Sequence, residues 1–284
     1  MVIDFHTHTF PEAIAAGAVK HMSEAACLTA FTDGTEAGLI ASMDRAGINC
    51  SVVLPVVTNP VKTSHINDYS AHANNEKGRV IHLGGLHPDT PDLAAEAARA
   101  AKLGLRGVKI HPVYQQTDID DIRFLRLMEA AGENGLFVVM HAGLDVGFPG
   151  QTQAAVPKIE NALRQVGPVK VVLAHMGGWK QWEQVSSLAA FPNVLIDTAF
   201  SLGRIKPLAP GRYTEADLPL TDEAAFMKLV RAFGPERVLF GSDSPWTSQA
   251  ESLSAIRALP LAQGDIDMIL YKNAQALLHM EEHI

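Results

Sequence analysis

Two histidines separated by a single residue, His6 and His8, lie in a short apolar segment near the start of the 284-residue chain. On a β-strand, side chains two positions apart point to the same side, so both imidazoles can reach one ion. Imidazole nitrogens bind divalent metals readily, especially where a carboxylate completes the set. The pair therefore indicates a metal site that draws further ligands from elsewhere in the chain.

Titratable side chains also stand at the ends of four other short apolar runs. They are Lys109 with His111, His141, His175 and Asp243. In a parallel barrel the carboxyl ends of all strands lie on one face, where active sites are found. Because each strand places its residue independently, this recurrence predicts one centre at which these groups converge around a metal.

The segments that carry these residues alternate with Ala/Leu/Glu-rich helical patterns. Eight continuously apolar runs are typical of strands buried on both faces of a parallel sheet. We predict strands at residues 2–6, 50–55, 80–85, 105–111, 136–141, 169–175, 194–198 and 238–243. We predict helices at residues 33–46, 67–77, 91–103, 119–134, 158–166, 179–190, 222–233, 249–259 and 264–279.

Eight strands with crossover helices predict an α/β fold, a single (β/α)8 TIM barrel with one domain over residues 1–284. The alternative is an open doubly wound sheet, but no Gly-rich nucleotide-binding fingerprint follows any strand. The longest irregular stretch, residues 200–220, follows the seventh predicted strand. In a barrel, a loop at that position would lie over the carboxyl-terminal mouth.

Composition excludes several classes of function. The net charge is −8 and Lys and Arg form no block, which disfavours a nucleic-acid partner. Only two cysteines occur, Cys27 and Cys50, so a disulfide scaffold is excluded and a reducing compartment is expected. There is no run of about 18 apolar residues, and the first ten residues are too polar for a signal peptide. We therefore expect a cytoplasmic protein with a small-molecule substrate and no membrane partner.

Several residues after the predicted strands are candidates for substrate binding. They are His87, His111, Trp179, Trp246, and Arg204 with Arg212 in the long loop. The indoles could form the wall of a pocket, and an arginine could bind a substrate carboxylate through two parallel hydrogen bonds. The alternatives are a hydrogen-bonded loop histidine, a core tryptophan and a solvated loop arginine.

The chain resembles the amidohydrolase superfamily, in the amidohydrolase-related branch of metal-dependent hydrolases and aminocarboxymuconate-semialdehyde-type decarboxylases. The resemblance covers essentially the whole chain. It rests on the motifs IDFHTH, GVKIHP, MHAG, LAHMGG and LFGSDSPW. These motifs are specific for the superfamily and only weakly specific for a substrate.

The resemblance implies that His6, His8 and Asp243 bind a divalent metal, with His141 as the next ligand. In single-metal members the histidine at the position of His175 stays unligated. In two-metal members His141 and His175 hold a second ion, and a carboxylated lysine, here Lys109, bridges the pair. A clamp for a substrate carboxylate is the alternative role of Lys109. The ligand types predict zinc, with manganese as the alternative, and homo-oligomers are common among such enzymes.

Three functions follow from these residues. A bound ion lowers the pKa of its water to about 7, so that Asp243 as general base and His175 as second acid–base group could support hydrolysis of an amide, lactone or related C–N or C–O bond. Non-oxidative decarboxylation of a small aromatic or unsaturated carboxylate is the alternative, and Lys109 favours hydrolysis modestly. A non-catalytic metal-binding barrel is disfavoured because every expected ligand is present.

Overall fold

The computed structural model describes residues 1–75 and 78–280. The chain forms two compact units, one built from Met1–Val53 and Asp197–Ile284 and the other from Leu54–Ile196. Residues 76–77, which end the second predicted helix, and residues 281–284 lie outside the described part. The single domain over residues 1–284 stays a prediction.

All eight predicted strands occur in the described residues, and the third is split into two. The strands are β1 (Ile3–Thr7), β2 (Cys50–Val53), β3 (Val80–His82), β4 (Gly84–Gly85), β5 (Gly107–Ile110), β6 (Phe137–Met140), β7 (Val171–Leu173), β8 (Val194–Asp197) and β9 (Val238–Leu239). The split follows His82, whose backbone N–H and carbonyl both bond to the Asn74 side chain, each at 2.8 Å. A side-chain amide thus occupies the two groups that a continuing strand would pair.

Ten α-helices occur in the described residues. They are α1 (Glu12–Ala26), α2 (Glu36–Ala46), α3 (Thr63–Asn75), α4 (Leu93–Lys102), α5 (Ile122–Glu133), α6 (Val156–Gln165), α7 (Glu223–Phe233), α8 (Gln249–Arg257), α9 (Gln263–Asp267) and α10 (Asn273–Leu277). Side chains at the helix starts explain several boundaries, because Thr35, Asp121 and Asp222 each accept a backbone N–H from the first turn. Within the described residues, none of the helices combines the length and the apolar content needed to cross a bilayer.

The structure differs from the predicted helices in three places. Helix α1 was not predicted, and it lacks the usual boundary signals, because Pro11 makes no side-chain capping bond at its start and Cys27 stands where other helices end in glycine. The predicted helix 179–190 is a 3₁₀ segment at Trp182–Ala190. The predicted helix 264–279 is divided into α9, a π-helical turn at Met268–Lys272 and α10.

In the first unit, β1 lies between two parallel neighbours. On one side it pairs with β2, with Ile3 opposite Cys50. On the other side the Phe5 N–H donates to the Phe240 carbonyl at 2.7 Å, and Thr7 is paired with Ser244. This arrangement brings the carboxyl end of β1 beside the segment that follows β9, and both segments carry predicted site residues.

In the second unit, β4 to β8 form a continuous parallel ladder, with Val138 opposite both Val108 and Val171. The middle strand is apolar throughout, and Val138 and Val139 are fully buried, as expected of a parallel strand with both faces buried. Because the strands run in parallel, the residues after β5, β6 and β7 lie at the same edge of this ladder.

The predicted irregular segment 200–220 contains no helix or strand. It lies against the end of α1, where the Thr29 N–H donates to the Lys206 carbonyl at 2.9 Å and the Leu208 N–H donates to the Cys27 carbonyl at 3.0 Å. The Tyr213 hydroxyl also donates to the Ala26 carbonyl. The loop is therefore fixed by backbone pairing within the first unit.

Candidate active site

Three ligand-type atoms meet at the end of β1, and we call His6, His8 and Asp243 the first ligand group. The two Nε2 atoms are 3.2 Å apart, and the Asp243 Oδ1 lies 3.4 Å from the Nε2 of His6 and 3.2 Å from that of His8. Around a tetrahedral ion with bonds of about 2.0–2.1 Å, neighbouring ligand atoms are about 3.3 Å apart. The spacing of these three atoms therefore fits one divalent ion.

The backbone of β1 and of the segment after β9 explains why these side chains meet. The Asp243 N–H donates to the His6 carbonyl at 2.8 Å, and the His8 N–H donates to the Ser244 carbonyl at 2.7 Å. Asp243 has a φ of 70°, in the left-handed region that aspartate and asparagine tolerate better than most residues. This turn directs the carboxylate toward the two imidazoles instead of continuing the strand.

His6 is oriented by a second carboxylate, Asp197, the last residue of β8. The His6 Nδ1 lies 2.8 Å from the Asp197 Oδ2, and both side chains are buried. The Asp197 Oδ1 accepts the Ala199 N–H at 3.1 Å, which fixes the carboxylate. A carboxylate accepting Nδ1–H leaves the lone pair on Nε2, the atom that faces the ligand group, as in metal-bound histidines with a supporting carboxylate.

A further buried carboxylate, that of Asp4, binds residues next to the first ligand group. Its carboxylate accepts the Ser242 N–H at 2.8 Å, the Ser242 hydroxyl at 2.6 Å, the Gln249 amide at 2.8 Å and the His6 N–H at 3.3 Å. Burial raises the pKa of Asp4 to about 6, against these hydrogen bonds, which lower it. One buried carboxylate thus connects β1, the residue before Asp243 and α8.

A second set of ligand-type atoms lies in the second unit, and we call His111, His141 and Asp145 the second ligand group. The Asp145 Oδ2 lies 3.5 Å from the His111 Nε2 and 3.7 Å from the His141 Nε2. The two imidazole rings are stacked, with centroids 4.1 Å apart and an interplanar angle of 15°. All three residues are buried.

His175 and Lys109, both predicted site residues, lie in the same unit. The His175 Nε2 is 3.1 Å from the His141 Nδ1. His175 does not end a strand as predicted; it begins a 3₁₀ turn after β7 with a φ of 59°, and its carbonyl accepts the Trp182 indole N–H. Lys109 is only 1% exposed within β5.

The remaining predicted residues have varied surroundings. The His87 Nδ1 accepts the Asp89 N–H at 3.0 Å in a turn, and burial lowers the pKa of this imidazole. Trp179 and Trp246 are both buried. Arg204 pairs with Glu215 at 2.9 Å with both side chains exposed. The substrate-binding roles of these residues stay predictions.

Arg212, the other loop arginine, donates to the Ala25 carbonyl at 2.6 Å. It thereby helps to attach the irregular segment to α1. A guanidinium used in this way has a structural role in the loop, whatever else it contacts.

Sequence reasoning missed Asp145, which belongs to the second ligand group, and Asp197 and Asp4, which support the first. Asp197 is the next-to-last residue of the predicted strand 194–198, so a positional rule that reached one residue back from the strand end could have found it. Asp145 follows His141 by four residues and stands in a loop, where spacing carries no fixed geometry. Asp4 lies two residues before His6 on β1, but its side-chain partners Ser242 and Gln249 come from the other end of the chain.

Solved structures share this fold. A TIM-barrel protein from Bordetella bronchiseptica is 20% identical, with a TM-score of 0.72, over 98% of each chain. A 5-carboxyvanillate decarboxylase from Novosphingobium aromaticivorans, in complex with manganese and 4-hydroxy-3-methoxy-5-nitrobenzoic acid, is 16% identical, with a TM-score of 0.66, over 99% of this chain and 96% of that one. A protein from Pseudomonas putida with the proposed activity of a 2-pyrone-4,6-dicarboxylic acid hydrolase is 21% identical, with a TM-score of 0.66, over 99% of this chain and 98% of that one. These likenesses confirm the predicted α/β fold, a (β/α)8 TIM barrel.

No curated protein matches the chain by sequence. The amidohydrolase family profile matches residues 3–280. That span includes both ligand groups and nearly the whole chain, which confirms the resemblance seen in the sequence motifs. The protein therefore belongs to the amidohydrolase family.

Proposed function

We propose that the protein is a metal-dependent, non-oxidative decarboxylase of a small aromatic or unsaturated carboxylate. The observation that carries this proposal is the first ligand group, in which two imidazoles and a carboxylate stand 3.2–3.4 Å apart. The group offers three ligand atoms to one ion. The similarity to a decarboxylase that binds manganese and an aromatic acid supports it further.

The donor set suits a divalent ion. Two nitrogens and one oxygen are ligands that zinc and manganese both accept, and we propose zinc with manganese as the alternative. When bound, such an ion supplies positive charge that attracts a substrate carboxylate and stabilises negative charge developing on the substrate. The Nε2 of His6 carries the lone pair that can bind the ion, because Asp197 accepts the Nδ1–H of the same ring.

We propose that Asp243 supplies the proton that the substrate carbon takes up during decarboxylation. Decarboxylation breaks the bond between the substrate carbon and its carboxylate, CO₂ departs, and the electron pair left on that carbon must take up a proton. The Asp243 Oδ1 faces both imidazoles, so we assign the proton to the other oxygen of this carboxylate. A positioned carboxylic acid contributes about 10²–10⁴-fold to such a step.

Trp246 lies close to this carboxylate in the chain. The backbone N–H of Trp246 donates to the Asp243 carbonyl at 2.8 Å, and the indole is buried. We propose that the indole forms part of the substrate-facing wall. The acid–base role predicted for His175 and the substrate contacts predicted for His87, His111, Trp179 and Arg204 remain proposals.

Hydrolysis of an amide, lactone or related bond is the second candidate function. Two observations favour it: the buried Lys109 in β5, a residue type that can bridge two ions, and the similarity to the Pseudomonas putida protein with a proposed hydrolase activity. In that case Asp243 takes a proton from the attacking water instead of giving one to carbon. A cytoplasmic location fits either function and is part of the proposal.

A substrate panel separates the two functions. The full chain, loaded with zinc or with manganese, is incubated with hydroxylated aromatic carboxylates, unsaturated diacids, lactones and amides, and both CO₂ release and acid release are measured. We expect CO₂ from an aromatic or unsaturated carboxylate. Acid release from a lactone or amide without any CO₂ would contradict the decarboxylase proposal and establish the hydrolase.

The panel needs a matched pair of variants. Asp243→Asn removes the carboxylate at a φ of 70°, which asparagine tolerates. Asp92→Asn makes the same change at an exposed residue with a φ of 47° and no side-chain capping bond. Only the first variant should lose activity, and equal activity in both variants would contradict the role assigned to Asp243.

A further inference from the structure

We infer that the π-helical turn at Met268–Lys272, together with Asn273, positions Asp243 in the first ligand group, and we call this segment the β9 anchor. A π-helical turn contains one residue more than an α-helical turn, and such turns occur frequently at functional sites. The inference rests on the proposed function in one respect, since it takes Asp243 as a metal ligand and proton carrier. All residues of the β9 anchor and its partners belong to the first unit.

The π-helical turn makes one backbone carbonyl of the helix, that of Ile269, available to a neighbouring segment. In an α-helix this carbonyl would accept the N–H four residues further on, which is that of Asn273. The Asn273 N–H donates instead to the Met268 carbonyl. The Ile269 carbonyl accepts the Phe240 N–H at 2.8 Å. The additional residue in the turn therefore gives the chain after β9 a fixed hydrogen-bond acceptor.

The side chain of Asn273 binds the beginning of the same strand. Its amide nitrogen donates to the carbonyls of Pro235 and Val238, both at 2.8 Å, and Val238 is the first residue of β9. An asparagine amide has two N–H donors, so one side chain can hold both carbonyls at once. The β9 anchor thus holds the strand at its start through Asn273 and just after its end through Ile269.

The backbone between Phe240 and Asp243 is hydrogen-bonded at every residue. The three N–H groups that follow Phe240 have acceptors in three different segments. The Gly241 N–H donates to the Thr198 hydroxyl at 3.0 Å, the Ser242 N–H to the Asp4 carboxylate at 2.8 Å and the Asp243 N–H to the His6 carbonyl at 2.8 Å. A buried N–H that loses its acceptor is costly, so a shift of Phe240 is passed on to Asp243.

This stretch also passes very close to β1. A Cβ at Gly241 would lie 2.7 Å from the Cβ of His6 and 3.4 Å from that of Ala199, and only a glycine lets the chain pass at this distance. A displaced Gly241 would therefore push against His6, which is itself a residue of the first ligand group. The position of Phe240 accordingly affects both the carboxylate and one imidazole of the group.

The size of the expected displacement exceeds what a metal site tolerates. One residue of an α-helix corresponds to a rise of about 1.5 Å, whereas the residues of a binding site must be held to within about 0.5 Å. Supporting contacts around metal ligands contribute about 10–100-fold to metal affinity. We expect the lower end of this range, because the β9 anchor acts through the backbone and not on a ligand atom.

Two variants remove the β9 anchor in different ways. Asn273→Ala removes both side-chain hydrogen bonds to the strand. Deletion of Lys272, an exposed residue, shortens the π-helical turn to an α-helical one, in which the Ile269 carbonyl accepts an N–H of its own helix. Asn134→Ala is the matched control, because the Asn134 amide donates to the Ala130 carbonyl at 2.8 Å after α5, in the second unit.

Co²⁺ binding and amide exchange test the inference without any substrate. The metal-free full chain is titrated with Co²⁺, whose absorption spectrum depends on ligand geometry, and the part of the spectrum that Asp243→Asn lacks is assigned to the first ligand group. Hydrogen exchange of the Asp243 amide is followed by NMR, and thermal unfolding shows that each variant is folded.

We expect both anchor variants to bind Co²⁺ at the first ligand group about tenfold more weakly, with an altered spectrum. The Asp243 amide should exchange about tenfold faster in these variants than in the wild type, because its segment opens more easily. Asn134→Ala should keep the wild-type affinity, spectrum and exchange rate. If the chain without Lys272 does not fold, Asn273→Ala decides.

Several results would overturn the inference. One is wild-type Co²⁺ binding by the anchor variants, whatever the exchange rate, since the anchor would then not reach the metal ligand. Another is the same loss of affinity in Asn134→Ala, since reduced stability alone would then explain it. A wild type that binds no Co²⁺ through Asp243 would contradict the proposed function instead, and the exchange rate of the Asp243 amide would then decide whether the β9 anchor positions this residue.

Discussion

The two ligand groups have the same composition, two histidines and one aspartate, but they are assembled differently. In the first group both histidines come from one strand, and the aspartate comes from the far end of the chain. In the second group the histidines follow neighbouring strands, and Asp145 lies four residues after His141. The first is therefore set by the pairing of β1 with the segment after β9, and the second by the conformation of one loop.

The two groups also differ in the residues that hold their histidines in place. His6 is backed by the buried carboxylate of Asp197, and Asp4 fixes the backbone around it through four hydrogen bonds. His141 is instead contacted by the imidazole of His175 and by the Leu144 carbonyl. A carboxylate raises the basicity of the histidine that it holds, so we expect the first group to bind an ion more tightly.

Asp243→Asn breaks the first group directly and has the largest expected effect. We expect turnover to fall by about 10³-fold, because this carboxylate is both a proposed ligand and the proposed proton carrier. The fold should persist, since asparagine tolerates the left-handed backbone at this position. Steady-state kinetics with thermal unfolding measure both effects. A variant with most of its activity would show that Asp243 does not handle the proton.

Asp197→Asn tests the difference in support between the groups. We expect the affinity of the first site to fall by about 10–100-fold, because the neutral amide no longer stabilises the required tautomer of His6. Calorimetry of the metal-free full chain titrated with Zn²⁺ compares this affinity in the variant and in the wild type. An unchanged affinity would mean that the contact between His6 and Asp197 is only structural.

Asp4→Asn tests the buried network under the first group. The amide of the asparagine would bring N–H donors close to the N–H donors of Ser242 and Gln249, so that hydrogen bonds are lost and donors face each other. We expect the free energy of unfolding to fall by about 1–3 kcal/mol, measured by urea denaturation. Ser242→Ala removes only the hydroxyl donor, leaves the backbone N–H in place and should cost less. The opposite order would contradict the role assigned to the carboxylate.

His87→Asn has the smallest expected effect and concerns a strand-end histidine that belongs to neither group. Burial lowers the pKa of His87 from 6.5, so the unfolded chain takes up more protons as the pH falls below that value. The stabilising contribution of neutral His87 is therefore present above pH 6.5 and is lost on acidification.

We accordingly expect the wild type to lose more stability than His87→Asn between about pH 8 and about pH 5. Denaturation curves at the two pH values measure the difference. The number of bound metal ions should stay the same in this variant. A loss of one equivalent would place His87 in a ligand group after all.

Much of the fold could be predicted because its signals are local. Buried parallel strands appear as short apolar runs, and all eight were found. The histidine pair and Asp243 could be predicted as partners because the ends of parallel strands share an edge. Helix α1 was missed because it has neither a side-chain cap at its start nor a glycine at its end, whereas α2 has both Thr35 and Gly47. The 3₁₀ segment at Trp182–Ala190 has no distinct pattern of its own.

By itself, the sequence determined the alternation of strands and helices, the family and the first ligand group, since each is written in short-range periodicity or in residues at strand ends. Only the tertiary structure decided which carboxylate supports His6, which loop residue joins His111 and His141, and that Arg204 pairs with Glu215. The residues in these contacts are either far apart in the chain or lie in irregular loops. In both cases the sequence shows no periodic pattern that would predict the contact. These contacts depend on which strands become neighbours and on the path of each loop, and both are fixed only when the chain packs.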